Sequence, residues 1–498
     1  MLLQKDRSIR IVLAGAAVAF WSGAQVTAYA GATDRGPAAA KTEVGRLELQ
    51  PAVGPTSPDN PELDAASSPP QQMTLDAAVQ LGVKNATAIS KADQSLRLSA
   101  AQLLQSYAQF LPNLTLSAVA GEAWGKSYQY TPKPALLNTA NYGLTMQLST
   151  NVNLFNGCAD QAGVRAALER KDAATMTLAR AKQQIAIDIT QAYLQVILDQ
   201  RLLDIARQSL GSSRHREELL REQTKLGVKD IGNLYTQQAQ TATDETAVVS
   251  AGSRLQSDIM HLLQRLKVIG GVYTWLPPRL TEVAPFGEQT RADELVRQAM
   301  EQRQDLKAAD AASRAADAAV TVAEAGYYPR LDIGFSLNDL TRRIQHQSLS
   351  GVDQGPFVQD PLSKQLQGHF NYTAALTLSW SPFDRGVTRL AVARAEVDAA
   401  GSRVDADDLH RQVLTEVKQA LEDFRSASSR LATARRGVTA ANKSFERIEA
   451  RYGVGAATFL DVTTAQVVLA QAQSAQAQAQ IDVHLQAQVL RHVVGAAE

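Results

Sequence analysis

The sequence Phe110-Leu-Pro-Asn-Leu114 returns in altered form as Tyr327-Tyr-Pro-Arg-Leu331 in the second half of the chain. Each copy opens a region in which apolar and polar residues alternate, and each region ends near a turn that starts with Phe and contains Gly. Further along, Ile189-Thr-Gln-Ala192 matches Val417-Lys-Gln-Ala420. Two copies of so long a unit indicate a duplicated structural half rather than a solenoid of short repeats.

The repeat continues beyond these segments at a separation that is two residues shorter. Leu226-Gly-Val228 matches Tyr452-Gly-Val454, and Ala239-Gln240 matches Ala465-Gln466. On this alignment, the position in the first repeat that corresponds to Asp461 is Tyr235.

Composition and charge exclude several classes of protein. The 498 residues include 50 Lys or Arg and 50 Asp or Glu, so the formal net charge is zero and nothing favours binding to nucleic acid. The single cysteine, Cys158, cannot form an intramolecular disulfide, and no His or Cys lies near it at metal-ligand spacing. No nucleotide-binding or hydrolase motif is present, so we expect a non-enzyme without cofactor or metal.

The chain divides into five predicted segments. A basic stretch, an apolar run and Ala28-Tyr-Ala30 indicate a cleavable signal peptide. The next segment carries seven of the 17 prolines and is predicted to be a disordered tether. The predicted boundaries are 1–30 for the signal peptide, 31–72 for the tether, 73–270 for the first repeat, 271–290 for a linker and 291–498 for the second repeat.

Long tracts without proline predict unusually long helices. Residues 160–226 and 386–452 have apolar residues every three or four positions, so each is expected to form a helix of roughly 100 Å. Turns that contain glycine send the chain back through helices predicted at 234–268 and 458–494. Helices of this length need partners along their whole length, which predicts a helical hairpin in each repeat with coiled-coil packing.

Four segments alternate with a period of two: 114–120, 144–154, 331–337 and 372–380. An apolar face backed by a small polar face is what a strand between lipid and a wet lumen requires. A soluble sheet with one buried face alternates in the same way. Aromatic residues near the strand ends favour the membrane alternative, because they resemble interfacial girdles.

Four strands cannot close a barrel, and open edges in a membrane would leave backbone groups without hydrogen bonds. The chain is therefore expected to oligomerise. Three copies would supply twelve strands, an even number that leaves room for a water-filled bore.

The chain resembles the TolC-like outer-membrane efflux channels over residues 73–494. The resemblance rests on the duplication, on Met73-Thr-Leu-Asp-Ala-Ala-Val79, and on Tyr452-Gly-Val-Gly455 followed by Phe459-Leu-Asp-Val462. It implies a mainly α homotrimer with a twelve-stranded barrel in the lipid of the cell outer membrane and a long coiled-coil tunnel in the periplasm. Such a protein is the passive exit duct of a tripartite efflux or type I secretion system, docked to a periplasmic adaptor protein and an inner-membrane transporter.

The same resemblance assigns a periplasmic gate. Tyr452 matches the gate tyrosine and Asp461 matches one ring aspartate, but Ala457 stands at the arginine position and Thr464 at the second ring position, with Tyr235 at the first-repeat position. Thr458 and Asp461 also form a capping-box pattern, so Asp461 is either a gate residue, a helix cap or both. The turns that correspond to the adaptor-docking tips contain Gly227, Val228, Lys229, Val454, Gly455 and Ala456.

A periplasmic adaptor or coiled-coil scaffold is the alternative function. Such a protein would have one helical hairpin flanked by small β domains, with a lipid-anchor motif or an N-terminal membrane span. Two halves that each combine strands with helices, together with a cleavable signal, argue against it.

Overall fold

The computed structural model describes residues 71–496 apart from 132, 269, 272, 279–290, 354–359, 362–363, 366–367 and 369. The predicted signal peptide, nearly all of the predicted tether and most of the predicted linker lie outside the described residues. The described residues belong to a single compact unit that spans 62–498.

Eight helices of the described residues fall into two matching sets of four. Each set has a short helix, a helix of about six turns, a helix of 67 residues and a helix of 36 residues. The first set is α1 (Leu75–Asn85), α2 (Thr87–Ala108), α3 (Ala159–Lys225) and α4 (Ile231–Leu266); the second is α5 (Ala292–Gln302), α6 (Gln304–Glu324), α7 (Val387–Gly453) and α8 (Phe459–Val494). The two predicted helical hairpins are confirmed, and we call α3–α4 the first hairpin and α7–α8 the second hairpin.

Four long strands pair antiparallel in one sheet, and a short strand also pairs with one of them. The first three long strands continue past the alternating segments seen in the sequence, because residues beyond those segments also pair. The fourth keeps nearly its predicted bounds. The strands of this sheet are β2 (Thr115–Thr131), β3 (Lys133–Phe155), β5 (Arg330–Leu349), β6 (Val352–Asp353) and β7 (Phe370–Ser379). The long strands lie in the order β2-β3-β5-β7, and the short β6 pairs with β5.

The strand register gathers the apolar residues on one face of this sheet. Leu148 lies opposite Leu116 on one side and Leu337 on the other, and Leu376 lies opposite Ile333. The opposite face carries small polar residues, in cross-strand pairs such as Ser117 with Gln147, Gln147 with Asn338, and Asp332 with Thr377. The predicted two-sided character of the strands is confirmed.

A small parallel sheet holds the start of the first repeat to the chain that follows the first hairpin. Strand β1 (Gln71–Met73) pairs with β4 (Tyr273–Trp275). Residues 71–72, predicted as the end of the tether, and 273–275, predicted as linker, are therefore part of the ordered body. Tyr193 fixes the ends of both strands, since its hydroxyl lies 2.8 Å from the Met73 carbonyl oxygen and 2.7 Å from the Leu276 carbonyl oxygen.

Two hydrophobic cores lie where the short helices meet the long ones. In the first, Tyr193 packs edge-on against Trp275, with ring centroids 5.8 Å apart, beside Leu262 and Leu266. Burial raises the pKa of Tyr193 to about 12. In the second, Leu421 occupies the place that corresponds to Tyr193 and packs with Leu295, Leu306 and Leu490. No helix of the described residues is long and apolar enough to cross a membrane.

From the start of the long helices onward, the repeats match at one constant separation, which corrects the shorter separation inferred beyond those helices. Helix α3 runs from 159 to 225 and α7 from 387 to 453, while α4 and α8 begin at 231 and 459. Asp461 therefore corresponds to Asn233, not to Tyr235. The residues around Gly227 resemble those around Gly453, but the glycines that share a left-handed backbone conformation are Gly227 and Gly455.

Candidate functional site

Two glycine turns form the ends of the two hairpins. In the first, Gly227 has φ +72° and the Val228 N–H donates to the Gln223 carbonyl; in the second, Gly455 has φ +76° and the Ala456 N–H donates to the Arg451 carbonyl. This is the Schellman ending of a helix, in which a left-handed residue is usually glycine. The predicted docking residues at these tips are exposed, apart from Lys229, which is half-buried: Gly227, Val228, Val454, Gly455 and Ala456.

Lys229 joins the two tips. Its Nζ lies 4.5 Å from the centre of the Tyr452 ring, close enough for a cation–π contact. Tyr452 also meets the Phe459 ring, with centroids 6.2 Å apart, and the Tyr452 hydroxyl is buried without a hydrogen-bond partner among the described residues. Tyr452 therefore connects the end of α7, the start of α8 and the turn of the first hairpin.

Asp461 caps α8. The Thr458 side chain accepts from the Asp461 N–H at 3.2 Å, and Asp461 Oδ2 accepts from the Thr458 N–H at 2.8 Å. The hydrogen bonds from the Thr458 hydroxyl and N–H lower the pKa of Asp461. The predicted capping box is confirmed, and the carboxylate remains exposed to solvent.

The other predicted gate residues lie on exposed faces near the tips. Thr464 follows Asp461 by one helical turn and is exposed, as is Tyr235 on α4. Helix α4 starts earlier than predicted, because the Asp230 side chain accepts from the Gly232 N–H at 3.0 Å and caps it. Lys229 of the first hairpin thus contacts one predicted gate residue, Tyr452 of the second hairpin.

A buried polar group ties the hairpins together a few turns above the tips. Ser213 Oγ donates to Asp244 Oδ2 at 2.5 Å, and Gln466 Nε2 donates to Ser213 Oγ at 3.3 Å. The Gln237 side chain donates to the Ser213 carbonyl at 3.1 Å. These four residues and Arg216, whose guanidinium donates to the Gln466 side-chain oxygen, are called the Ser213 cluster.

Arg216 extends the Ser213 cluster to α7, since its guanidinium lies 5.9 Å from the centre of the Phe445 ring. Burial lowers the pKa of Arg216, against the opposing effect of the nearby Glu449 carboxylate. The residues of the cluster were not predicted from the sequence. One signal was available: Gln237, Thr241 and Asp244 place a polar stripe at helical spacing where an amphipathic hairpin would carry apolar residues.

The tips and the Ser213 cluster are the parts of the structure that bear on the predicted gate and docking turns. Asp461 and the Ser213 cluster are hydrogen-bonded within the chain, whereas the buried Tyr452 hydroxyl is not. The described residues contain no group of three or more His, Cys, Asp or Glu that could hold a metal ion. The site consists of two exposed turns, the cation–π contact of Lys229 with Tyr452 between them, and the buried Ser213 cluster behind them.

Comparison with known proteins identifies the family. The model of the "Outer membrane efflux protein" family matches residues 78–266 and 295–496. The fusaric acid resistance protein FusA of Burkholderia cepacia is 26% identical over 393 residues, which cover 76% of this chain and 69% of that protein. The outer membrane protein TolC of Escherichia coli K12 is 20% identical over 352 residues, 70% of this chain and 69% of TolC.

Solved structures share the fold. The chain is similar to CusC with a TM-score of 0.71 and 15% identity, over 84% of this chain and 92% of CusC. It is similar to the outer membrane protein VceC of Vibrio cholerae with a TM-score of 0.68 and 19% identity, over 84% of this chain and 96% of VceC. The duplicated halves, the two-faced sheet and the paired long helices are therefore those of a known architecture, and the chain belongs to the outer membrane efflux protein family.

Proposed function

We propose that three copies of the chain form the exit duct of a tripartite efflux or type I secretion system. In this proposal the sheets make a twelve-stranded barrel in the outer membrane, and the hairpins continue it as a tunnel through the periplasm. The duct is passive, and an inner-membrane transporter supplies the energy. Family membership and the likeness to outer-membrane channels support this function over that of a periplasmic adaptor or coiled-coil scaffold.

The open edges of the sheet are the observation that supports a barrel shared between copies. Among the described residues, β2 pairs only with β3 and β7 pairs only with β5, so both have a free edge. The ten residues of β7 include no charged residue and no proline to discourage pairing. An edge of this kind needs a partner, and β7 of one copy runs opposite to β2 of the next.

The number of copies follows from the width of the barrel. Two copies would give eight strands, and the interior of such a barrel is about filled by side chains. Three copies give twelve strands and leave a bore. Exposed apolar residues on the long helices, such as Val249 on α4 and Val397 on α7, would then pack against neighbouring copies.

The tips of the hairpins supply the proposed docking and gating parts. The exposed turns at Val228 and Val454 present apolar side chains, 66% and 81% exposed, to a periplasmic adaptor protein. Tyr452, Asp461 and Thr464 would line the closed entrance. Because Ala457 replaces the family arginine, we propose that the contact of Lys229 with the Tyr452 ring and the Ser213 cluster hold the hairpins together instead.

Recordings in planar bilayers test the function and the gate together. The purified protein is expected to form pores that favour cations and are blocked by divalent cations, because three Asp461 carboxylates would ring the entrance. Asp461→Asn should weaken both properties with little loss of stability, since an asparagine oxygen can still accept from the Thr458 N–H.

The control is Thr458→Ala, which removes a cap worth about 1 kcal/mol but keeps the charge, and it should retain the selectivity. Absence of conductance from the native protein would contradict the channel function. Conductance with unchanged selectivity in Asp461→Asn would reject the gate ring alone and leave Asp461 as a helix cap.

A further inference from the structure

Two carboxyl groups meet between the helices of the first hairpin, well above its tip. Asp199 on α3 is only 4% exposed, and its Oδ2 atom is buried without a hydrogen-bond partner of the donor type among the described residues. Its Oδ1 atom accepts only a long hydrogen bond, 3.4 Å, from the Gln195 side chain. Asp258 on α4, the helix that packs against α3, is the side-chain hydrogen-bonding neighbour of Asp199 and is itself half-buried.

Two ionised carboxylates are both hydrogen-bond acceptors and repel each other, so a contact that buries one of them is favoured when one of the two holds a proton. We propose that Asp199 and Asp258 form a proton-binding site that fastens α3 to α4 in mildly acidic solution. This site lies beside the first hydrophobic core, next to Leu198 and one turn from Leu262, so its state acts on the packing of both helices.

Among the described residues, no nearby positive charge takes the place of the proposed proton. Asp258 and Arg254, both on α4, are the charged groups that act on Asp199. Arg254 is exposed to solvent and lines a cavity of about 790 Å³ together with Arg430 of α7 and Asp482 of α8. Its attraction is therefore screened by water, and it does not replace the missing donor at the buried Asp199 oxygen.

The ligand is a proton rather than a metal ion. A bound divalent cation usually takes several oxygen ligands from carboxylates, carbonyls and water, and only two carboxylates converge here. No larger group of acidic or histidine side chains suited to a metal occurs in the part of the chain that the structure describes.

The consequence for pH dependence has a definite sign. Burial, followed by the contact with Asp258, raises the pKa of Asp199 to about 7. The unfolded chain has an ordinary aspartate pKa of about 3.9, so the folded protein binds the additional proton between about pH 4 and pH 7. The stabilisation from this site is complete below that range and is lost as the pH rises through about 7.

Thermal unfolding at a series of pH values between about 5 and 8.5 tests the site. The native protein should lose apparent unfolding temperature across this range. Asp199→Asn should show a smaller loss and should unfold several degrees above the native protein at the alkaline end, because the amide is neutral and can donate to Asp258. Asp204→Asn, at an exposed position on the same helix, is the matched control and should follow the native protein.

Asp258→Asn is a second variant, in which the other carboxyl group of the pair is replaced. It should also reduce the dependence of the unfolding temperature on pH. An infrared band of a protonated carboxyl group should be present in the native protein near pH 6 and absent from both variants. Variants that unfold below the native protein at every pH would overturn the inference, because Asp199 would then be stabilised in its ionised form. Stabilisation of the native protein by added Ca²⁺, but not of Asp199→Asn, would equally overturn it in favour of a cation site.

Discussion

Arginine in place of Leu376 is expected to destabilise the assembled protein by about 2–4 kcal/mol and to reduce its recovery from the outer membrane. Leu376 lies in the middle of β7, is 65% exposed within one chain, and shares its face with Ile333. In the proposed barrel this face meets lipid, where a guanidinium is costly. The same result is expected for Leu148→Arg, since Leu148 lies between Leu116 and Leu337 on the same face.

The adjacent residues provide matched controls. Thr377 and Gln147 lie next to Leu376 and Leu148 on the opposite face, where Gln147 is paired with Ser117 and Asn338. Thr377→Arg and Gln147→Arg should assemble and should change the conductance instead. Equal loss of assembly from substitutions on both faces would contradict the assignment of the faces. Quantitative immunoblotting of membrane fractions, with denaturation of the purified proteins, measures the difference.

Ser213→Val is expected to destabilise the protein by about 3 kcal/mol. Valine fills nearly the same volume, but the Asp244 carboxylate and the Gln466 side chain each lose their hydrogen bond to the Ser213 hydroxyl in a buried place. Since Gln466 belongs to the second hairpin and Ser213 to the first, the loss also weakens the connection between the hairpins. The closed pore should therefore leak more current in planar bilayers.

Ser212→Val is the control for this substitution, because Ser212 is exposed one position earlier on the same helix. It carries the same change in helix propensity and should cost no more than about 0.5 kcal/mol. If the two valine variants have the same unfolding temperature and the same leak, the Ser213 cluster does not hold the hairpins together.

Most of the architecture could be predicted from the sequence. The long helices were predicted at 160–226 and 386–452 and occur at Ala159–Lys225 and Val387–Gly453, because a tract without proline leaves the helix free to continue until a glycine turn stops it. The four strands were also predicted, since alternation with a period of two survives wherever one face is apolar and the other polar.

Residue similarity alone could not give the correct alignment of the two repeats beyond the turns. Leu226-Gly-Val228 resembles Tyr452-Gly-Val454, yet the chain reverses at Gly227 and Gly455. Similar residues can occupy different positions relative to a turn, because each helix ends at the residue that takes a positive φ. The difference of two residues moved the counterpart of Asp461 from Tyr235 to Asn233.

The contacts between the hairpins were the part that the sequence could not provide. Lys229 meets Tyr452, and Ser213 meets Gln466, across more than two hundred residues of chain. Asp199 and Asp258 are a contact within the first hairpin, and they come together because α4 runs back along α3 from the turn. Only the polar stripe on α4 gave a local indication that such contacts exist.

The number of chains in the purified particle is the most direct test of the proposed duct. Four strands with two free edges in each copy predict a particle of three chains when the native mass is measured in detergent. A stable single chain that keeps its β-strand circular dichroism would contradict the shared barrel, because its edges would then be satisfied without neighbours.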